Sequence, residues 1–258
     1  LSGSIKGRQS MSNNYPQLGA EDARPQLGRN LTYGMLDSLG RAIVTGRYER
    51  EAFPTEAELA KQHGVSRSVT REAVKMLTAK GLLSARPRQG TVVQPATNWN
   101  LFDTDVLHWL LERQFSVDLL RQFNQLRVAI EPEAAALAAR VGTPDELARI
   151  TQGLERMEAA EQGLEDTLEA DIAFHVAILR ASGNPFYAQF RDVVGTALRT
   201  SIRFTNRLKG RTANVADHAA VRDAIEARDP DAARAAMRAL IGDVLDLIDH
   251  VEARDAQG

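Results

Sequence analysis

The sequence predicts a mainly α protein in two parts: an N-terminal winged helix-turn-helix domain and a C-terminal all-helical bundle. Three observations predict it. Apolar residues recur at helical spacing in three successive segments between Leu31 and Gly81, and two short β-like runs follow them. From Leu101 onward the helical pattern is nearly continuous, with cap and Pro/Gly signals between segments and no strand pattern. Positive charge is concentrated in the first part. Residues 31–97 hold ten Lys/Arg against six Asp/Glu, whereas 116–258 hold seventeen against twenty-three.

The chain has 258 residues, 43% hydrophobic and 26% charged, enough for two domains with buried cores. It contains no cysteine, which removes disulfides, thiol catalysis and zinc–cysteine sites and fits a reducing cytoplasm. No apolar run approaches the ~18 residues of a spanning helix, so neither a membrane nor a membrane partner is expected. The segment LSGSIKGRQS precedes Met11 and reads as a tag remnant, and Asn-, Gln-, Pro- and Gly-rich residues up to 30 read as a flexible tail. The expected domains are then 31–96 (winged helix-turn-helix), 97–115 (linker helix) and 116–254 (helical effector-binding and dimerisation domain).

Each element of the first domain has a local reason. Leu31, Met35, Leu36, Leu39, Ile43 and Val44 predict a helix over 31–47. Thr55 with Glu58 three residues on is a capping-box pattern, Leu59 supplies an apolar anchor, and Gly64 closes that helix. Ser66 caps a third helix with Val69, Ala73, Val74, Met76 and Leu77 on its apolar side, ending at Gly81. LLSA and GTVVQ read as strands joined by RPRQG.

That order suits DNA, because the second helix of the pair presents its N-terminal residues to base edges in the major groove. Ser66, Arg67, Ser68, Thr70 and Arg71 occupy this end. Arg86, Arg88 and Gln89 at the hairpin tip reach toward the neighbouring backbone or minor groove, and Gly90 permits close approach. Residues 66–90 carry six Lys/Arg against one acidic residue. The alternative is a solvated basic face, but Arg67 and Arg71 are like charges one turn apart and repel, which a polyanion partner explains better.

FPTEAELAKQHGVSRSVTREAVKMLTAKGLLSARPRQGTVV resembles the DNA-binding domain of the GntR family of bacterial transcription regulators. The resemblance covers roughly residues 31–95. It departs at Ala57, where many members carry an operator-reading Arg, so base readout is expected to lean on Arg67, Arg71 and the wing.

The second part reads as six or seven helices. Pro132 either kinks the segment VDLLRQFNQLRVAIEPEAAALAARV or starts a second helix within it. Asp171 and His175 stand at i and i+4 among apolar neighbours, and His218 on another helix offers a third ligand. A plain Asp–His hydrogen bond is the alternative. Arg127 lies amid apolar neighbours and wants an acid, either an effector carboxylate or Glu131 at i+4.

LRVAIEPEAAALAAR, ADIAFHVAILRASGNP and DHAAVRDAIEARDPDAARAAMRA are similar to the FCD effector domain of the FadR subfamily. Many such domains hold a divalent metal (zinc, nickel or manganese here) with one Asp and three His. Asp171, His175 and His218 match three of those positions, while the fourth is Leu240. Without a metal, the same three residues become hydrogen-bonding groups for an effector. The resemblance also implies that Arg127 faces the effector cavity. Arg199 and Arg203, like charges one turn apart, are read as adding to a cationic pocket. NWNLFDTDVLHWLLE resembles the junction of galactonate-responsive repressors within the family, which tend to lack the fourth His as well.

The expectation is therefore a cytoplasmic homodimeric repressor, not an enzyme. It binds double-stranded palindromic operator DNA and is released by a small organic acid, an aldonate such as galactonate. Two other classes compete with it. A metal-dependent enzyme acting on an organic acid would show turnover lost in Asp171→Ala. A non-specific DNA-organising protein would bind random and operator DNA equally.

Overall fold

The structure, a computed structural model, describes residues 20–86, 90–113, 116–205 and 214–255. In order these form α1 (Ala20–Val44), α2 (Glu56–His63), α3 (Arg67–Ala79), β1 (Leu83–Arg86), β2 (Gly90–Val93), α4 (Thr104–Leu110), α5 (Val117–Val141), α6 (Pro144–Glu161), α7 (Thr167–Ala181), α8 (Pro185–Ala188), α9 (Arg191–Thr205), α10 (Val215–Glu226) and α11 (Pro230–Asp255).

α1 starts at Ala20, earlier than the expected Leu31. Ala20 to Arg24 are mostly good helix formers without an apolar repeat, so periodicity does not reveal them. α2 has the capping box of Thr55 and Glu58, and Gly64 closes it at φ 64° in the left-handed region. Ser66 caps α3 by accepting from the Val69 amide. β1 and β2 pair antiparallel with Leu83 opposite Val93 and Arg86 opposite Gly90, which makes the wing.

One apolar cluster joins Met35, Leu36, Leu39 and Ile43 of α1 to Leu59 of α2 and Ala73, Val74 and Leu77 of α3. The same cluster takes in Val106, Leu107, Trp109 and Leu110 of α4. The linker helix is thus packed into the winged domain's core. A Cβ at Gly40 would stand 2.2 Å from the Trp109 ring, so only glycine admits the indole at this level. Trp109 Nε1 donates to Asp37 Oδ1 at 2.8 Å. Lys80, which ends α3, bonds both Asp103 oxygens at 2.7 and 2.8 Å and reaches Asp105 at 2.7 Å.

The helical domain holds a second cluster, to which α5, α6, α7, α9, α10 and α11 all contribute. α5 is one continuous helix with Pro132 inside it, so no second segment starts there. Gly153 brings α6 onto α7: a Cβ there would lie 2.9 Å from Phe174 Cα. Phe123 of α5 and Val193 and Ala197 of α9 belong to the winged domain's cluster, so the two cores meet around α4.

Candidate functional site

The exposed end of α3 carries Ser66, Arg67, Ser68 and Arg71, with Lys75 one turn beyond Arg71. Arg67 has no ion pair among the described residues. Arg71 and Lys75 make only loose, solvent-exposed pairs, with Glu56 at 3.6 Å and Glu72 at 3.7 Å. These cations are therefore available to a polyanion.

Thr70 is a correction to the sequence reading. It is fully buried, and its hydroxyl donates to the Ser66 carbonyl at 3.2 Å. Thr70, Ala73, Val74 and Leu77 form one buried stripe, so Thr70 packs and does not face a groove. On the wing, Arg86 is exposed, and Gly90 takes φ 79° at the register position opposite it. Arg88 and Gln89 lie outside the described residues.

The second assembly lies inside the helical domain. α5 contributes Asn124, Arg127 and Glu131, α7 contributes Asp171 and His175, and α10 contributes His218, all of them buried. Arg127 Nε donates to Glu131 Oε1 at 2.6 Å, and its Nη1 lies 3.5 Å from Asn124 Oδ1. Arg127 Nη2 lies 3.3 and 3.4 Å from the two ring nitrogens of His175, so it sits against the ring as a whole. Arg127 thus comes to the cluster as expected, but its guanidinium is engaged by Glu131.

Both histidines have their outer nitrogen fixed. His218 Nδ1 donates to the Asn214 carbonyl at 2.7 Å. His175 Nδ1 lies 2.5 Å from Glu131 Oε2. Burial raises the Glu131 carboxyl, but the Arg127 guanidinium and His175 outweigh it and hold it at about 2. Glu131 is therefore ionised and accepts the Nδ1 proton. Both Nε2 atoms then turn toward a single oxygen, Asp171 Oδ1, at 3.3 Å from His175 and 3.2 Å from His218. Burial raises Asp171 too, but hydrogen bonds from the two histidines hold it well below the usual carboxylate range.

Three donors facing one point need positive charge between them: protons on Nε2, or a cation. The three ligand atoms lie within 4.8 Å of one another. Their type and their anchored outer nitrogens fit a divalent metal whose histidines are oriented by a carboxylate and a backbone carbonyl. The fourth position of the resemblance, Leu240, is a hydrocarbon packed against the core cluster and offers no ligand.

Arg199 is partly exposed and bonds Glu169 at 2.8 Å, outside the buried cluster, and the Arg203 side chain lies outside the described residues. Glu131 as the partner of His175, 44 residues away, was not predicted. Its spacing from Arg127 was visible, but nothing in the sequence placed α5 against α7.

Residues 34–93 match the family described as bacterial regulatory proteins, gntR family, and residues 122–243 match the FCD domain. The HTH-type transcriptional regulator YieP of Escherichia coli K12 is 37% identical over 216 residues, covering 83% of this chain and 93% of YieP. The chain belongs to the GntR family. A second relative, the galactonate operon transcriptional repressor of E. coli K12, is 35% identical over 217 residues, covering 82% of this chain and 94% of that one. The fold agrees with the solved structure of Lar, which controls the expression of the Listeria monocytogenes agr system. There the TM-score is 0.55 at 18% identity, over 85% of this chain and 96% of Lar. The protein is accordingly a transcription regulator with a DNA-binding domain and an FCD domain, and no helix among its described residues is long and apolar enough to cross a membrane.

Proposed function

We propose that this GntR-family regulator is a cytoplasmic homodimeric repressor of a sugar-acid catabolic operon. A small carboxylate, an aldonate such as galactonate, binds the helical domain and releases the protein from a palindromic operator. The observation that carries this reading is the buried cluster of Arg127, Glu131, Asp171, His175 and His218, a concentration of charge that an all-helical core does not need for packing. The galactonate operon repressor among its relatives supports the effector class.

In this reading Asp171, His175 and His218 hold the effector's polar groups, directly or through a divalent cation. When bound, the cation supplies a positive anchor for a carboxylate or hydroxyl oxygen. Arg127 contributes positive charge to the wall of the site, and an incoming carboxylate competes with Glu131 for it. Arg203, at the end of α9, is assigned to the same wall. On DNA, Ser66, Arg67, Ser68 and Arg71 read or grip the major groove, while Arg86, Arg88, Gln89 and Gly90 form the wing contact. Two copies read the two half-sites.

Coupling has a physical route. Phe123 stands one turn before Arg127 on α5 and packs with α4 and the winged domain's core, as do Val193 and Ala197 of α9. A shift of α5 at the cluster is thereby delivered to the helix that carries the DNA-binding unit.

The test is thermal unfolding against a panel of sugar acids, with and without prior chelation. A specific binder at 100 times its Kd adds about 2.7 kcal/mol. Stabilisation by one aldonate that survives chelation supports a metal-free sensor. Stabilisation lost on chelation, and lost in Asp171→Asn, supports the metal-assisted form. No stabilisation by any aldonate contradicts the effector assignment.

A further inference from the structure

Thr196, Thr200 and Ser201 of α9 are buried hydroxyl side chains. Thr196 donates to the Asp192 carbonyl and Thr200 to the Thr196 carbonyl, both at 2.8 Å, as helical hydroxyls commonly do. By that pattern Ser201 would donate to Ala197. It does not. Ser201 Oγ is the single buried side-chain polar atom without a hydrogen-bond partner among the described residues. Native interiors rarely leave such a group unsatisfied, so a bound molecule is a partner to look for beyond the described residues.

The position of Ser201 narrows the search. It follows Leu198 by three residues and Val194 by seven, and both belong to the helical domain's core, so Ser201 shares their inward face. Arg199 bonds Glu169, and a Cβ at Gly195 would stand 3.7 Å from Ile172 Cγ2, which sets α9 antiparallel to α7. Ser201 therefore lies level with the first turn of α7, offset by about one helical turn, or roughly 6 Å along the axis, from the level of Asp171, and on the core-facing side of α9 with Val194 and Leu198.

We propose that Ser201 is an effector-binding residue. Its hydroxyl exchanges a hydrogen bond with a hydroxyl of a polyhydroxylated carboxylic acid held at Asp171, His175 and His218. The inference rests on the effector site proposed above and adds its specificity. A hydroxyl both donates and accepts, so it pairs with the carbinol groups of a sugar acid. The chain of a plain fatty acid offers it nothing. Ser201 thus favours hydroxylated acids over their deoxygenated analogues.

Ser201→Ala in the full-length protein tests this by two measurements. Thermal unfolding without ligand is expected to give an unchanged or higher Tm, because the substitution removes a buried hydroxyl that has no partner among the described residues. Titration calorimetry is expected to show galactonate binding about tenfold weaker, with binding of hexanoate, the six-carbon acid without hydroxyls, unchanged. A lower Tm in Ser201→Ala would overturn the inference, since the hydroxyl would then have a partner in the free protein. Galactonate affinity equal to wild type would overturn it alone and leave the effector site standing. Wild-type protein that binds neither acid would overturn the sugar-acid reading and, with it, the ligand assigned to Ser201.

Discussion

Arg127 and Glu131 stand one helical turn apart on α5, and each exposes no more than 3% of its side chain. Breaking a buried ion pair costs about 3–5 kcal/mol, and without Arg127 the buried Glu131 carboxylate keeps only His175. Arg127→Ala is therefore expected to lose stability on that scale in urea unfolding, in addition to any loss of effector response. The double variant Arg127→Met, Glu131→Gln is expected to recover most of the loss, because no buried charge is left without a partner; failure to recover would mean that Arg127 acts through packing. The exposed Arg67 behaves oppositely. Arg67→Ala is expected to leave stability within about 0.5 kcal/mol of wild type and to weaken operator binding by about 1–3 kcal/mol, read by fluorescence anisotropy. An operator affinity that does not change would remove Arg67 from the reading face.

At the scale of elements, α4 is the piece on which the two domains turn. Gly40→Ala puts a methyl group into the Trp109 ring and is expected to cost about 1–3 kcal/mol, measured by urea unfolding. The Lys80 clamp adds a pH dependence. Burial lowers the Lys80 ammonium, but its hydrogen bonds to the Asp103 and Asp105 carboxylates outweigh it, so its pKa is raised above the ordinary lysine value of 10.5. A raised pKa stabilises the fold fully below the unfolded value and loses that contribution as pH rises through the folded one. The stability difference between wild type and Lys80→Met is thus expected to be constant at neutral pH and to shrink only above about pH 10.5. A difference that shrinks between pH 6 and 8 would show that the clamp is not what Lys80 contributes.

The legibility of these elements follows the range of the forces that make them. The caps at Thr55 and Ser66 are local patterns, and each is found where the sequence places it. Thr70 was legible and misread: its place in the stripe with Ala73, Val74 and Leu77 outweighs its polar type. The Glu131–His175 bond and the insertion of Trp109 against Gly40 join residues 44 and 69 apart, and a single sequence carries no record of which helices meet. Asp171 with His175 was readable because both lie on one helix. The meeting of that pair with His218 was only a suggestion, since His218 lies on another helix, and in the structure the three ligand atoms lie within 4.8 Å of one another.

On the scale of the whole molecule, an acidic helical body carries a basic reading head, and the two cores touch through α4, α5 and α9. The buried cluster sits on α5, α7 and α10, and the head is fixed to α4, so an effector changes DNA affinity only by favouring one packing of these helices over another. The coupling expected of such a device is about 1–3 kcal/mol, which is 5–150-fold in affinity. The most direct measurement is the anisotropy of labelled operator DNA, selected in vitro by the protein from a random pool, titrated with wild-type protein without galactonate and with it at saturation. Operator affinity about 5–150-fold weaker with galactonate, and no such change on random DNA, is the result predicted. Operator affinity unchanged in protein that demonstrably binds galactonate would contradict the account.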